Sequence, residues 1–422
     1  MSASTGAVLL HAKQLEIADL KALHTRAMLA GMAGHLIHCL QSERGASSIY
    51  IASRGTRFQH NREQLIGESR TIANLLISTL ETVLSEPALA NRKIANQLAW
   101  VILGLEAMEP FRADVTALKV KGDASVTTYS QLISVLINLI FELADTSVHP
   151  TISKLLVSLF SLVEGKELAG QERAVGALAF AGGGCKAEHQ AKLTHLKENQ
   201  ERNFATFVDF CEHDIGAMIQ QLDALQSNAT FKAMRQEFYS LTPDTHLDPD
   251  RSGDWFDCCS DRISKLWTIQ QTLVERIQQL CTEFIDDATK KLENSEELIQ
   301  QFMNTKNQPP VEPMEFFQQQ SLAHENSNFR LNVSQKATQS AHPLYDLVQQ
   351  QSQQLAQAES DLQTAQQMLE DRKLIERAKG VLMAKMDISE EAAHRELRSS
   401  AMRHNQRLVE IADTILNIDH WG

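Results

Sequence analysis

Two arginines in matching surroundings mark where this chain could do chemistry. Arg44 lies in Gln41-Ser42-Glu43-Arg44-Gly45-Ala46-Ser47-Ser48. Arg173 lies in Gly170-Gln171-Glu172-Arg173-Ala174-Val175-Gly176-Ala177, 129 residues further on. In both, Glu-Arg is followed by small residues and then an apolar pair. Small residues such as Gly45 and Ala174 let a second helix come close and leave a narrow polar slot at the arginine. A partly buried guanidinium needs a counter-charge. Glu43 and Glu172 are sequence neighbours of their arginines, so they project from another part of the helix and need not supply it. A small planar oxyanion could, because nitrate and carboxylate oxygens match the guanidinium fork. A distant Asp or Glu would serve as well, and these residues alone leave both open. Arg235, in Phe231-Lys232-Ala233-Met234-Arg235, is a third candidate that follows no such pattern.

A second chemical signal lies near the C-terminus. From Arg372 to Arg407 there are nine Lys/Arg and five Asp/Glu, a net of +4 in a chain of net −13, so the remainder carries −17. A basic module on an acidic body suits a polyanion, although a solvated helical face has the same composition. Lys379 beside Gly380 allows the backbone to approach a phosphate. Arg398, Arg403 and Arg407 can contact phosphates or stack on bases. Met402 falls on the apolar side of its helix and is expected in the core.

The elements that must position these residues are helical throughout. The chain has 422 residues, enough for two or three domains; 43% are apolar, 6% are aromatic, and glycine and proline are few. Long helical patterns are expected at 16–53, 58–84, 88–108, 111–119, 126–145, 149–164, 186–227, 229–240 and 253–294, with Pro87 and Pro110 at turns. The repeat around Arg44 and Arg173 divides residues 1–298 into two four-helix-bundle-like halves, 1–145 and 146–298. Residues 299–343 are rich in Gln, Asn and Pro and are expected to form a linker. In 344–371, Val348, Leu355, Leu362 and Leu369 fall on one heptad seam and Leu344, Gln351, Ala358 and Ala365 on the other. That pattern is a coiled coil, or a helix laid against the body. Residues 372–422 form a three-helix bundle, with Ser389 and Asn405 as helix caps. The fold class is all-α.

Six cysteines without a CxxC pair or a ligand-like cluster fit free thiols in a reducing cytoplasm. The most apolar run, Leu132–Phe141, is too short to span a bilayer, and no secretory signal is evident. No metal or cofactor is expected, and neither a P-loop nor GxGxxG occurs.

Three segments, Gln41 to Tyr50, Gly170 to Phe180 and Leu247 to Ile263, together resemble the nitrate- and nitrite-sensing NIT domain over roughly residues 30–285. The resemblance implies nitrate or nitrite as an effector held by Arg44 and Arg173, with Gly45 and Ala174 giving backbone room. In the C-terminal module, five short matches occur in family order. Ala378-Lys379-Gly380, Leu382-Met383, Ser389-Glu390-Glu391-Ala392, Leu397-Arg398 and Ala401-Met402 resemble the ANTAR family of transcription antitermination regulators. His394 stands where that family often has an aromatic residue. The ANTAR resemblance implies a homodimer whose three-helix domains bind hairpin loops of leader mRNA, with contact to transcribing RNA polymerase left open. Together the two imply a cytoplasmic, non-enzymatic antiterminator of a nitrate-assimilation operon, with no membrane partner. The alternative is a sensory adaptor that signals through protein contact by its C-terminal bundle.

Overall fold

The computed structural model describes the whole chain except residues 1–4, 86–91, 146, 148, 182, 185–186, 225–228, 241–246, 305–342, 389, 405 and 420–422. Nearly all of the 299–343 linker and both cap residues, Ser389 and Asn405, therefore lie outside the described residues. The rest is helical, in the order α1 (Thr5–Ala52), α2 (Gln59–Ser85), α3 (Arg92–Thr116), α4 (Gly122–Asp145), α5 (Pro150–Ala181), α6 (Ala187–Phe210), α7 (His213–Ala224), α8 (Ala229–Ser240), α9 (Ser252–Asn304), α10 (Pro343–Met386), α11 (Glu390–His404) and α12 (Leu408–Asp419).

The two longest helices of the sensor, α1 and α9, run antiparallel, and glycines set their spacing. A Cβ on Gly6 would fall 2.9 Å from Ile299, one on Gly31 2.8 Å from Val274, and one on Gly34 2.6 Å from Gln270. Only a residue without a side chain fits at such an approach. Gly34 also faces Val163 of α5, while Gln41 donates to Glu167 and Gly45 abuts Arg173. Thus α1 and α5, the helices that carry the repeat, run side by side through the middle of the molecule. One continuous apolar core joins both halves, from Leu36 and Leu40 of α1 through Leu136 and Ile140 of α4 to Leu159 of α5 and Leu273 of α9. The halves are related in sequence, but they share a single interior.

Several boundaries differ from the sequence expectation. Pro110 does not end a helix; it lies inside α3, which is unbroken to Thr116. Its missing N–H leaves the carbonyl of Glu106 without a helical donor, and both residues are exposed, so water can take that bond. The single helix expected over 186–227 is broken at Cys211–Glu212, with no glycine or proline to signal it. Glu212 precedes the first turn of α7 and is held by Arg276 at 2.8 Å. The apolar run in 132–141 belongs to the longer α4, whose 24 residues suffice by length and composition to cross a membrane. Leu132, Ile133, Leu136 and Ile140 of that helix are instead buried in the core.

The largest difference concerns 344–386. The expected coiled coil and the first helix of the C-terminal bundle are one unbroken helix, α10. Of the heptad seam, Leu362 and Leu369 have described side chains, and both are buried. Leu369 joins the sensor core, and Met368 packs against that core. This end of the seam is laid on the body, not on a second coil strand.

Candidate functional site

The two repeat arginines meet where α1, α5 and α9 converge. The Arg44 guanidinium lies beside Gly170, 3.0 Å from where a Cβ would stand, and that of Arg173 lies 3.4 Å from the equivalent point on Gly45. Each arginine thus reaches across the other's helix at a glycine; Gly45 is one of the small residues singled out in the sequence, whereas Gly170 precedes its motif arginine and Gly176 instead meets Trp255. Their surroundings differ. Arg44 is buried and paired with Glu167 through two bonds of 2.6 and 3.1 Å, and it donates to Ser130 Oγ at 2.7 Å. Its counter-charge is a protein carboxylate from α5, so the vacancy expected there is already filled in this state. Arg173 has no carboxylate at ion-pair distance among the described residues. It donates to Ser260 Oγ at 2.9 Å and lies 4.6 Å from the ring centre of Phe256. Burial of its charged end, with the Arg44 charge adding to it, pushes its pKa down to about 10. At neutral pH it remains a cation, held where a cation is disfavoured.

The glutamates preceding each arginine point away, as their spacing requires. Glu43 accepts Arg112 Nε and Nη2 at 2.8 and 2.7 Å, with Tyr129 Oη at 2.7 Å. Glu172 accepts Arg235 Nε and Nη2 at 2.7 and 3.0 Å, with Gln200 at 2.7 Å. The same two-pronged pair recurs in each half. It engages Arg235 away from the Arg44–Arg173 contact. Ala174 lies next to that contact and is partly exposed. Ser130, Glu167 and Ser260 were not legible as site residues. Only Glu167, two turns before Arg173 on an apolar helix, carried a signal, namely an acid at a buried register.

The basic module is seated on the acidic body. Ala378, Leu397, Ala401, Ile411, Ala412 and Leu416 form its small core. Arg372 pairs with Glu164 of α5, Lys373 with Asp145 of α4 at 2.6 Å, and Arg398 with Glu198 of α6. His394 faces His195, with ring centres 5.4 Å apart, and Arg202 donates to its Nε2 at 3.1 Å. That bond makes Nε2 an acceptor, so the imidazole is neutral. Of the RNA-binding candidates, Lys379 is buried beside Glu376, and Arg398 is engaged by the sensor. Arg403 and Arg407 are exposed and paired with Glu396 and Asp371. A Cβ on Gly380 would meet open space. Met402, expected in the core, is 67% exposed and joins Met383 and Met386 on the outer surface.

Two clefts, of about 280 and 290 Å³, lie apart from the arginine pair, one beside Arg235 and Arg262 and the other beside Arg62 and Arg112. No group of His, Cys, Asp and Glu able to hold a metal ion occurs among the described residues, and the five described cysteines are unpaired.

Comparison with known proteins agrees with this division. The nitrate and nitrite sensing family, NIT, matches residues 35–278, and the ANTAR domain matches residues 363–416. The nitrate regulatory protein of Klebsiella oxytoca is 29% identical over 415 residues, covering 96% of this chain and 93% of that protein. The solved structure of the NasR transcription antiterminator aligns at 26% identity with a TM-score of 0.58, covering 98% of each chain. With a sensor match spanning more than half of its length and an ANTAR domain behind it, this chain belongs to the nitrate and nitrite sensing family.

Proposed function

We propose that the anion of this sensor sits between Arg44 and Arg173, and that its arrival releases the ANTAR module to bind RNA. The protein is a nitrate- and nitrite-responsive antitermination regulator. The observation that carries the anion site is the unequal pair: one buried guanidinium with a carboxylate, and its neighbour with only a hydroxyl and a ring. Nitrate is flat, monovalent and weakly hydrated, so it loses less on leaving water than sulfate or phosphate does, and its oxygens fit a guanidinium fork. Gly45 and Gly170, lacking a Cβ, leave room for the Arg173 and Arg44 guanidiniums respectively. Arg235, occupied by Glu172, lies outside this proposed site.

Release follows from the helix that bears the site. Glu167, which holds Arg44, and Glu164, which holds Arg372 of the module, are one turn apart on α5. An anion beside Arg44 repels Glu167 and competes for the same donors. Any resulting shift of α5 acts directly on the contact that seats α10. The anion can move this equilibrium only by its preference for the undocked state. Once free, Lys379, Gly380, Arg398, Arg403 and Arg407 face the loops of leader-mRNA hairpins, whose splayed bases are accessible where a duplex hides them. The freed heptads of α10 pair two copies as a homodimer. The anion pool sensed is cytoplasmic.

Calorimetry with nitrate, nitrite, chloride and sulfate, on the wild type and on Arg44→Ala and Arg173→Ala, tests the site. Nitrate heat should vanish in Arg173→Ala, and equal heat from sulfate would defeat the assignment. A gel shift with a two-hairpin leader RNA tests the output. If no retardation occurs with or without nitrate, the bundle is a protein-docking module.

A further inference from the structure

Helix α3 carries more apolar surface than its own packing uses. Ile94, Leu98, Val101, Met108 and Val115 face inward and are buried. A second series runs along the outer side. Lys93, Asn96, Trp100, Leu103, Ala107 and Pro110 follow one another at intervals of three and four, and Asp114 continues the series. That spacing sets them in one line along a helix, and all seven are exposed. Trp100 and Leu103, in the middle of the line, are 55% and 57% exposed. The neighbouring α2 adds to this surface. Arg62 bonds Thr116 and Arg70 bonds Glu109, so α2 and α3 run antiparallel, and the exposed Leu75 stands level with the middle of α3. An aligned apolar group with polar ends marks a contact surface.

The charges at the two ends of the line identify its occupant. Arg92 and Lys93 make the N-terminal end basic, and Asp114 makes the C-terminal end acidic. Arg92 is exposed and has no ion partner among the described residues. Lys93 and Asp114 each have one, Asp145 at 3.4 Å and Lys119 at 3.3 Å, and both side chains stay more than half exposed. We propose that the outer face of α3 is where a second copy of this chain docks, antiparallel across a twofold axis near Leu103, before any anion arrives. A parallel pairing would set like charges together. The antiparallel one sets Arg92 and Lys93 of each copy over Asp114 of the other, at both ends. It also sets the bulky Trp100 opposite the small Ala107, with tryptophan at the centre of the contact, where interfaces favour it. One patch thus supplies both sides, as a twofold contact requires. Helix α3 bears neither Arg44 nor Arg173, and none of the residues that pair with the ANTAR module. The dimer is therefore the same whether the module is docked or free. Once freed, the heptads of α10 meet at the high effective concentration of a tethered pair.

The test is sedimentation equilibrium of the full-length protein without nitrate across the micromolar range. The mass should rise with concentration to that of a dimer, and added nitrate should leave the dimer in place. Trp100→Glu combined with Leu103→Glu should give a monomer with the helical circular dichroism retained, since both side chains are exposed. Arg92→Glu and Asp114→Arg should each weaken association by about tenfold, because each sets like charges together, and the two combined should restore it. Both charges are exposed, so their reversal remains decisive if the double glutamate variant unfolds. The proposal is overturned by a monomer at every concentration, by a dimer that forms only when nitrate is added, by a dimer unchanged in the folded double glutamate variant, or by charge reversals that do not restore association when combined.

Discussion

A buried guanidinium without a carboxylate is destabilising by several kcal/mol unless something supplies the charge. Arg173 is in that position, with Ser260 and Phe256 as partial substitutes. Its pKa is lowered from 12.5, so the folded state disfavours the charged form, and at neutral pH that penalty is fully present. Arg173→Met should therefore raise the melting temperature of the anion-free protein. It should also abolish the stabilisation that nitrate gives the wild type, about 2.7 kcal/mol at a hundredfold excess over Kd. Differential scanning calorimetry with and without nitrate reads both; a nitrate-dependent rise persisting in the variant would rule out Arg173 as the anion's ligand. Glu167 has the opposite role, because it occupies the donors of Arg44 that an anion would use. Glu167→Gln should tighten nitrate binding by roughly tenfold, equivalent to about 1.4 kcal/mol, while lowering stability without anion. The proximity of the two arginines was half legible: Gly45, after the first Glu-Arg, does meet Arg173, but Arg44 meets Gly170, which precedes the second. Glu167 was not, since nothing local reveals which acid across a helix interface a buried arginine will meet.

At the scale of elements, α10 is the decisive part. Its heptads suit two partners, a second copy or the sensor, and periodicity does not distinguish them. Burial of Leu369 in the sensor core and the pairing of Arg372 with Glu164 place its C-terminal half on the body. The helix pattern was largely legible because long runs without proline are helical in almost any context. The break at Cys211 and the continuity through Pro110 were not, because one depends on a tertiary pair, Glu212 with Arg276, and the other on solvent exposure. The contact of α11 with α6 should be pH-sensitive. Burial, followed by the charges of Arg202 and others and by His195, lowers the His394 pKa from 6.5 to about 4. Above pH 6.5 the imidazole is neutral whether docked or free, and docking does not respond to pH. As pH falls from 6.5 toward 4, the free module takes up a proton that the docked one refuses, so docking weakens. RNA retardation without nitrate should then be greater at pH 5.5 than at pH 7.5, and His394→Phe should remove most of that difference. An unchanged difference in the variant would assign the effect to other groups.

For the molecule as a whole, the segregation of charge is the organising feature. The stretch from Arg372 to Arg407 carries net +4 in a chain of net −13, and among the described residues three ion pairs join it to the sensor: Arg372–Glu164, Lys373–Asp145 and Arg398–Glu198. The split was evident from composition, whereas the particular acids were not, because they lie on three different helices brought together only by the fold. Each pair is partly exposed and so contributes at most about 1 kcal/mol. Neutralising two of the acids, Glu164→Gln with Glu198→Gln, removes about 1–2 kcal/mol from docking and should shift the closed-to-open ratio by about 5–30-fold. Neither side chain belongs to the RNA-binding face or to the Arg44–Arg173 contact, so RNA affinity of the open form and nitrate affinity of the sensor should be little changed. The double variant should therefore retard leader RNA in the absence of nitrate, with a reduced further response when nitrate is added. The salt dependence separates release from RNA contact. Among the RNA-binding candidates, Arg403→Ala, at a position free of the sensor, should lower the slope of log affinity against log salt by about one if it contacts a phosphate. Should the double variant remain fully nitrate-dependent, the ion pairs would not hold the module closed, and the buried seam around Leu369 would have to hold it alone.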